Sequence, residues 1–258
     1  MNPIKIIFFD VDGTLLDHST GCISEKNLEM LARLHENGIR VCIATGRSPV
    51  ALPDFGQVQI DAFCTNNGSL CYTKEEVIHS TPLSPEDVEA VLRNAAAIGR
   101  PISVTTRNRL AANGIDKDLS DYYRLAGLTL TVADDFDVIR QENVYQIMVG
   151  CRKCDHAFLM QGVKSAKVAI SWARAVDVIP VSSGKGLSIV KILDYFHLDA
   201  SSAMAFGDSY NDLEMLQAVG TGVAMGNAAE QLKLIADDVC GPVSEDGIYD
   251  YCVKIGLI

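Results

Sequence analysis

The segment IKIIFFDVDGTLL, residues 4–16, constrains this chain more than any other. Ile4, Ile6, Ile7, Phe8 and Phe9 form a β-branched and aromatic run without a polar face, the signature of a strand buried on both sides in a parallel sheet. Helices must cover both faces of such a sheet, so the segment predicts an α/β architecture. The run stops abruptly at Asp10 and Asp12. Residues two apart on an extended chain project to one side, so both carboxylates would leave the strand's carboxyl end into one crevice, where open α/β sheets bind ligands. Gly13 permits a sharp turn there, and Thr14 adds a hydroxyl. Two carboxylates held close repel each other unless a cation lies between them or one keeps its proton. Asp at a strand end also serves as a turn former, and DxDG occurs in calcium loops; here the further acids and closing Glu of an EF-hand do not follow.

Downstream the α/β rhythm continues. Ser24 reads as the N-cap of a helix with an apolar face of Leu28, Leu31, Ala32 and Leu34, ending near Gly38. The next strand, 39–44, lies beside the first by the right-handed crossover rule. At its end stand Thr45, Gly46 and Arg47, with Ser48 and Pro49 opening a further helix; this is either an anion cradle or a tight turn. A third strand over 61–65 ends in Asn66, Asn67 and Gly68, which turn the chain into a hairpin of 69–72 and 77–80, and Asn67 can serve either a ligand or the turn. Near Pro82 the pattern changes. A helix capped by Ser84 and strand-like pieces at 102–106, 128–132, 144–149 and 167–172 define an α+β insert over 83–178, between core segments 1–82 and 179–258. Trp172, Arg174 and Asp177 fall near its end, where Trp172 reads as core packing or as an interface residue. Lys185 then starts a helix, although a cation there opposes the helix dipole unless an anion is nearby. A strand over 203–206 runs into GDSYND, placing Asp208, Asn211 and Asp212 at yet another strand end.

Charge narrows the choice of partner. Lys plus Arg number 22 against 33 Asp plus Glu, a formal charge of −11, which disfavours nucleic acid or an anionic membrane as partner. The longest apolar runs are of strand length and no charged-then-apolar segment opens the sequence, so a cytoplasmic location is expected. The eight cysteines are scattered, mostly in apolar stretches, and read as reduced thiols; Cys151 and Cys154 form a CxxC without a second pair for zinc.

These residues suit phosphoryl transfer. Asp10 can attack phosphorus as a carboxylate nucleophile, while Asp12 can protonate the leaving oxygen and later deprotonate water. Mg²⁺ asks for few hard oxygens, which Asp10, a backbone carbonyl at Asp12 and Asp208 would supply. Thr45 with the Gly46 N–H, Asn211 and Lys185 can hold phosphoryl oxygens.

DVDGT at 10–14, ATGR at 44–47, Lys185 and GDSYND at 207–212 resemble, in order and at matching strand ends, the four motifs of the haloacid dehalogenase-like (HAD) phosphatase superfamily. The resemblance covers essentially the whole chain. The insert, between the second and third motifs, resembles the C2 cap of subclass IIB; NNGS at 66–69, GVAMGNA at 222–228 and EDGI at 245–248 resemble the Cof-type sugar phosphatases. This implies a Rossmann-like parallel-sheet core domain with an inserted α+β C2-type cap domain. It also implies Asp10 as nucleophile, Asp12 as acid/base, and Asp10, Asp12 and Asp208 as Mg²⁺ ligands, with Asp212 in an outer shell. Thr45, Gly46, Lys185 and Asn211 would bind phosphate, supported by Asn67 and Arg47, and Trp172 and Arg174 are candidates on the cap. One position departs: relatives often carry Gly three residues after the motif Lys, where this chain has Ser188. The expected function is Mg²⁺-dependent hydrolysis of small phosphorylated metabolites, sugar phosphates foremost, by a monomer or weak homodimer. A sugar phosphomutase would instead isomerise its substrate, and a sugar-phosphate-binding regulator would have no use for the paired acids.

Overall fold

The computed structural model describes residues 3–258, with all their side chains except those of residues 170 and 171. From β1 (Ile6–Phe9) the chain passes through a ribbon, β2 (Leu16–Asp17) and β3 (Cys22–Ile23), into α1 (Glu25–Glu36). β4 (Arg40–Ala44), β5 (Ala62–Thr65), β6 (Leu70–Tyr72) and β7 (Val77–Ser80) come after it. Next are α2 (Pro85–Ala97), β8 (Ile102–Thr105), β9 (Leu110–Ala112), α3 (Lys117–Leu125) and α4 (Phe136–Ile139). β10 (Gln146–Val149), α5 (His156–Leu159), β11 (Ala166–Trp172) and β12 (Ala175–Pro180) complete this stretch. The last segment holds α6 (Lys185–Phe196), β13 (Ala203–Gly207), α7 (Leu213–Gln217), β14 (Thr221–Ala224), α8 (Glu230–Ile235), β15 (Asp238–Val239) and α9 (Gly247–Lys254).

The chain divides into two compact units. One comprises the chain up to Gly46, Pro53–His79 and Gly184–Ile258; the other comprises Arg47–Leu52 and Ser80–Ser183. The first is built on an eight-stranded sheet of order β15-β14-β13-β1-β4-β5-β6-β7, parallel from β15 to β5. β6 runs antiparallel to β5. Every residue of β1 is buried, as its unbroken apolar run requires. The register aligns Phe9 with Phe206 of β13 on one side and with Ile43 of β4 on the other, so the three strands end level and send their succeeding residues to one rim. The Phe9 and Phe206 rings stack at 5.4 Å just beneath that rim.

The second unit is an α+β fold. Its five-stranded sheet, β11-β12-β10-β8-β9, is antiparallel throughout. One face packs Val104, Ile147 and Val178 against Val88 and Val91 of α2, while Met148 on the other face meets Leu119 and Tyr123 of α3. Two of its strands were not anticipated. In β12 the interior Asp177 breaks the apolar pattern, but the Tyr122 hydroxyl donates to both its carboxylate oxygens and lets it lie buried. β9 is only three residues long. Residues 128–132, expected as a strand, make one isolated bridge, Val132 to Ala112; Leu128 and Leu130 join the cluster around Leu119 as extended loop. Pro49 likewise opens a single 3-10 turn, Pro49–Ala51, rather than a helix, because Leu52 precedes Pro53 and is driven to extended backbone. No helix among the described residues is long and apolar enough to cross a membrane.

Candidate active site

Five chain segments of the first unit bring polar groups to the carboxyl rim of its sheet. β1 releases Asp10, β4 Thr45, the turn after β5 Asn67, and β13 Asp208, while α6 begins at Lys185. Asp10 is anchored by its own backbone, the N–H donating to Phe206 O at 3.0 Å, and the residue is 4% exposed. Lys185 is 1% exposed, and its Nζ donates to Asp10 Oδ1 and Asp212 Oδ1, each at 2.6 Å. These carboxylates are the anions that a lysine at a helix N-terminus calls for.

Asp212 is a hub. Its Oδ2 accepts from the amides of Asp208 and Ser209, both at 3.0 Å, in a capping box with Ser209 that sequence reasoning missed although the S-x-x-D spacing was visible. Asp208 accepts from the hydroxyls of Thr14 and Ser209, each at 3.3 Å. Gly13 has φ of 81°, and a Cβ there would lie 2.4 Å from Asp208 Oδ2; only glycine both adopts this turn and lets the carboxylate pass. Asn227, in the GVAMGNA segment, reads from the sequence as a turn residue after the 221–225 strand; in the structure it also braces the site, its Nδ2 donating to Gly13 O at 2.8 Å and its Oδ1 accepting from the Val243 amide at 2.9 Å.

The phosphate-binding candidates also converge. Thr45 is 1% exposed; its N–H donates to Cys64 O at 2.8 Å and its carbonyl accepts from the Asn67 amide at 3.1 Å. Asn211 Nδ2 donates to Asn67 Oδ1 at 3.0 Å, leaving the buried Asn211 Oδ1 without a partner among the described residues. A Cβ on Gly46 would sit 3.2 Å from the Asn67 amide, so Asn67 closes over that glycine. Arg47 belongs to the other unit, where its Nη1 donates to Ala51 O at 2.9 Å. Trp172 and Arg174 also lie there. The indole stacks on Tyr122 at 6.0 Å, the Arg174 guanidinium lies 4.3 Å from the indole centroid, and Arg174 Nη2 pairs with Asp121 at 2.5 Å.

Electrostatics give the cluster its character. Burial, then repulsion from Asp212, pushes the Asp10 pKa well above the usual carboxylate range, and the same two causes push Asp208 up to about 6. Burial disfavours the Lys185 ammonium, but Asp10 and Asp212 outweigh it and hold the lysine charged. Oxygens of Asp10, Asp208 and Asp212 lie within 4.8 Å of one another; Asp12 is not part of that group. Asp212 is engaged by Lys185 and two amides, so Asp10 and Asp208 are the acids left to face a ligand. Fully ionised, the three carboxylates against one ammonium would carry a net charge of about −2; a divalent hard cation would offset it and favour the ionised form of acids whose pKa is otherwise raised.

An enzyme built on an open α/β sheet with buried acids at its carboxyl rim belongs among the families that use that crevice for chemistry. The sequence profile of one such family, the haloacid dehalogenase-like hydrolases, matches residues 7–252, and the chain belongs to that family. Within it the chain is a phosphatase. The "Putative phosphatase YkrA" of Bacillus subtilis (strain 168) is 32% identical over 98% of each chain. The HMP-PP phosphatase of Enterobacter sp. (strain 638) is 31% identical over 88% of this chain and 86% of that protein. Among solved structures, the HAD subclass IIB sugar phosphatase BT4131 is 28% identical with a TM-score of 0.88, covering 98% of this chain and 100% of its own.

Proposed function

We propose that the chain is a Mg²⁺-dependent phosphomonoester hydrolase acting on small phosphorylated metabolites, sugar phosphates foremost, through an aspartyl-phosphate intermediate. One observation carries the reading: a buried carboxylate, Asp10, gripped by the Lys185 ammonium and facing a second acid, Asp208, at the rim of a parallel sheet. Acids buried beside one another raise each other's pKa at a cost in stability, and such perturbed groups cluster where they are used for chemistry.

Asp10 attacks phosphorus with one carboxylate oxygen as the bond to the leaving oxygen breaks, splitting a slow hydrolysis into two easier steps. Asp12, two residues on, donates the proton that the leaving oxygen needs and then takes one from the water that cleaves the acyl phosphate. Lys185 stays charged throughout and stabilises negative charge on the phosphoryl oxygens, with the Thr45 hydroxyl, the Gly46 N–H and Asn211 as further donors. Asp212 orients Lys185 and the Asp208 loop at the same time. Mg²⁺ held by Asp10, Asp12 and Asp208 would cancel the repulsion among the acids and keep Asp10 ionised.

The test is phosphate release from a panel of sugar phosphates, nucleotides, pyrophosphate esters and pyridoxal phosphate, each with Mg²⁺ and with EDTA. The expected result is metal-dependent turnover with the highest kcat/KM on hexose or pentose phosphates, abolished by Asp10→Asn. Isomerisation without net phosphate release, or binding without turnover, would overturn the reading. Trp172 and Arg174 are then the first positions to vary when the preferred leaving group is mapped.

A further inference from the structure

Ser188 lies three residues after Lys185 in α6, so the two side chains leave neighbouring positions of the helix surface. It is completely buried. Serine is a weak helix former because its hydroxyl competes for nearby backbone groups, and a buried position in the first turns of a helix would be better filled by alanine. Here the hydroxyl is used elsewhere: Ser188 Oγ donates to Gly68 O at 2.9 Å, across 120 residues of sequence.

Gly68 ends a turn that is costly to hold. Asn66, Asn67 and Gly68 have φ of 50°, 52° and 92°, three successive residues in the left-handed region, two of them bearing side chains. External bonds must therefore fix the turn. The Asn67 amide supplies one, to Thr45 O at 3.1 Å, and the Ser188 hydroxyl supplies another. The approach of turn to helix is close enough that a Cβ on Gly68 would lie 2.4 Å from Gly184 O and 2.5 Å from Ser188 Oγ. On one side of this junction α6 carries Lys185. On the other the turn carries Asn67, which accepts from Asn211 at 3.0 Å.

We infer that Ser188 is a positioning residue for catalysis: its hydroxyl locks the Asn66–Gly68 turn to the start of α6 and so fixes the spacing between Lys185 and the Asn67–Asn211 pair around one phosphoryl group. The inference rests on the phosphatase reading for its catalytic half. Donors that must meet spread charge in the transition state tolerate little displacement, whereas ground-state binding, to which a cation held by the metal-site acids would also contribute, tolerates more. Loss of the hydroxyl should therefore appear in kcat rather than in KM.

Two variants separate positioning from stability. Ser188→Ala and Ser188→Gly both lack the hydroxyl, but glycine is a much poorer helix former than alanine, so their Tm values should differ. With p-nitrophenyl phosphate and Mg²⁺, both are expected to lose about tenfold in kcat with KM within about twofold of wild type. Orthovanadate inhibition should weaken in step with kcat, and the amides of Asn67 and of Ser69, which donates to Asn66 O at 3.1 Å within the same turn, should exchange faster in both variants. A kcat loss that tracks Tm, larger in the glycine variant and absent in the alanine variant, would overturn the inference. So would unchanged exchange at Asn67 and Ser69. The phosphatase reading fails separately, by absent turnover in the wild-type protein; the Ser188 inference fails with wild-type turnover intact.

Discussion

Among the described residues, Lys185 is the cation held inside the buried group of carboxylates, and its removal isolates the cost of that arrangement. Its Nζ lies 2.6 Å from both Asp10 and Asp212, with Asp208 beside them. Lys185→Met keeps the volume and strands the carboxylates without a counter-charge, for which about 3–5 kcal/mol of destabilisation is expected. Urea denaturation in EDTA measures it; a loss below about 1 kcal/mol would mean that the acids carry no unpaired charge in the folded protein. The lysine itself was legible in the sequence through its wrong placement against the helix dipole. Asp10, Asp208 and Asp212 were legible because each ends or follows an apolar strand. Ser188 was visible only as an oddity. Its partner is a backbone carbonyl in a distant turn, and nothing in a linear sequence marks which carbonyl a buried hydroxyl will find.

Among the elements, α2 shows how a helix N-terminus staples the insert. Ser84 caps it by accepting from the Asp87 amide at 3.2 Å, and the Asp87 carboxylate in turn accepts from the amides of Lys164 and Ser165 at 2.8 and 2.9 Å. Burial alone would raise the pKa of Asp87, but its bonds from the Ser165 hydroxyl and the two amides outweigh it, and the net shift is downward. A depressed native pKa means that the unfolded chain takes up its proton first as pH falls. The contribution is therefore fully present above the unfolded value of about 3.9 and is lost as pH drops through the native value. Asp87→Asn is expected to cost about 1–2 kcal/mol at pH 7 and much less near pH 2, read from urea midpoints at the two values. An equal loss at both would show that packing rather than charge holds the junction. Ser84 and the helix itself were readable from the sequence. The strands of the insert were less so, because short antiparallel strands with an interior acid, such as β12, depend on tertiary partners, here including the Tyr122 hydroxyl that donates to Asp177.

At the scale of the molecule, every acid assigned to the metal lies in the unit formed by three separated chain segments. The insert has its own apolar core around Val88, Val104 and Val178. A ligand that binds only the native site stabilises whatever cooperative unit must open to lose that site, by RT ln(1 + [L]/Kd), or about 2.7 kcal/mol at a hundredfold excess over Kd. Mg²⁺ is therefore expected to slow hydrogen exchange in β1, β4 and β13, whose ends carry Asp10, Thr45 and Asp208, while β8, β10 and β12 of the insert keep their rates. Exchange measured with and without Mg²⁺ on the intact chain reports both units in one experiment. Asp208→Asn should remove the response, since Asp212 is already taken up by Lys185 and the Asp208 and Ser209 amides and cannot replace the lost ligand. Protection gained equally in both units would mean that they unfold as one. Protection retained in Asp208→Asn would move the cation away from these acids, and with it the role assigned to Asp10.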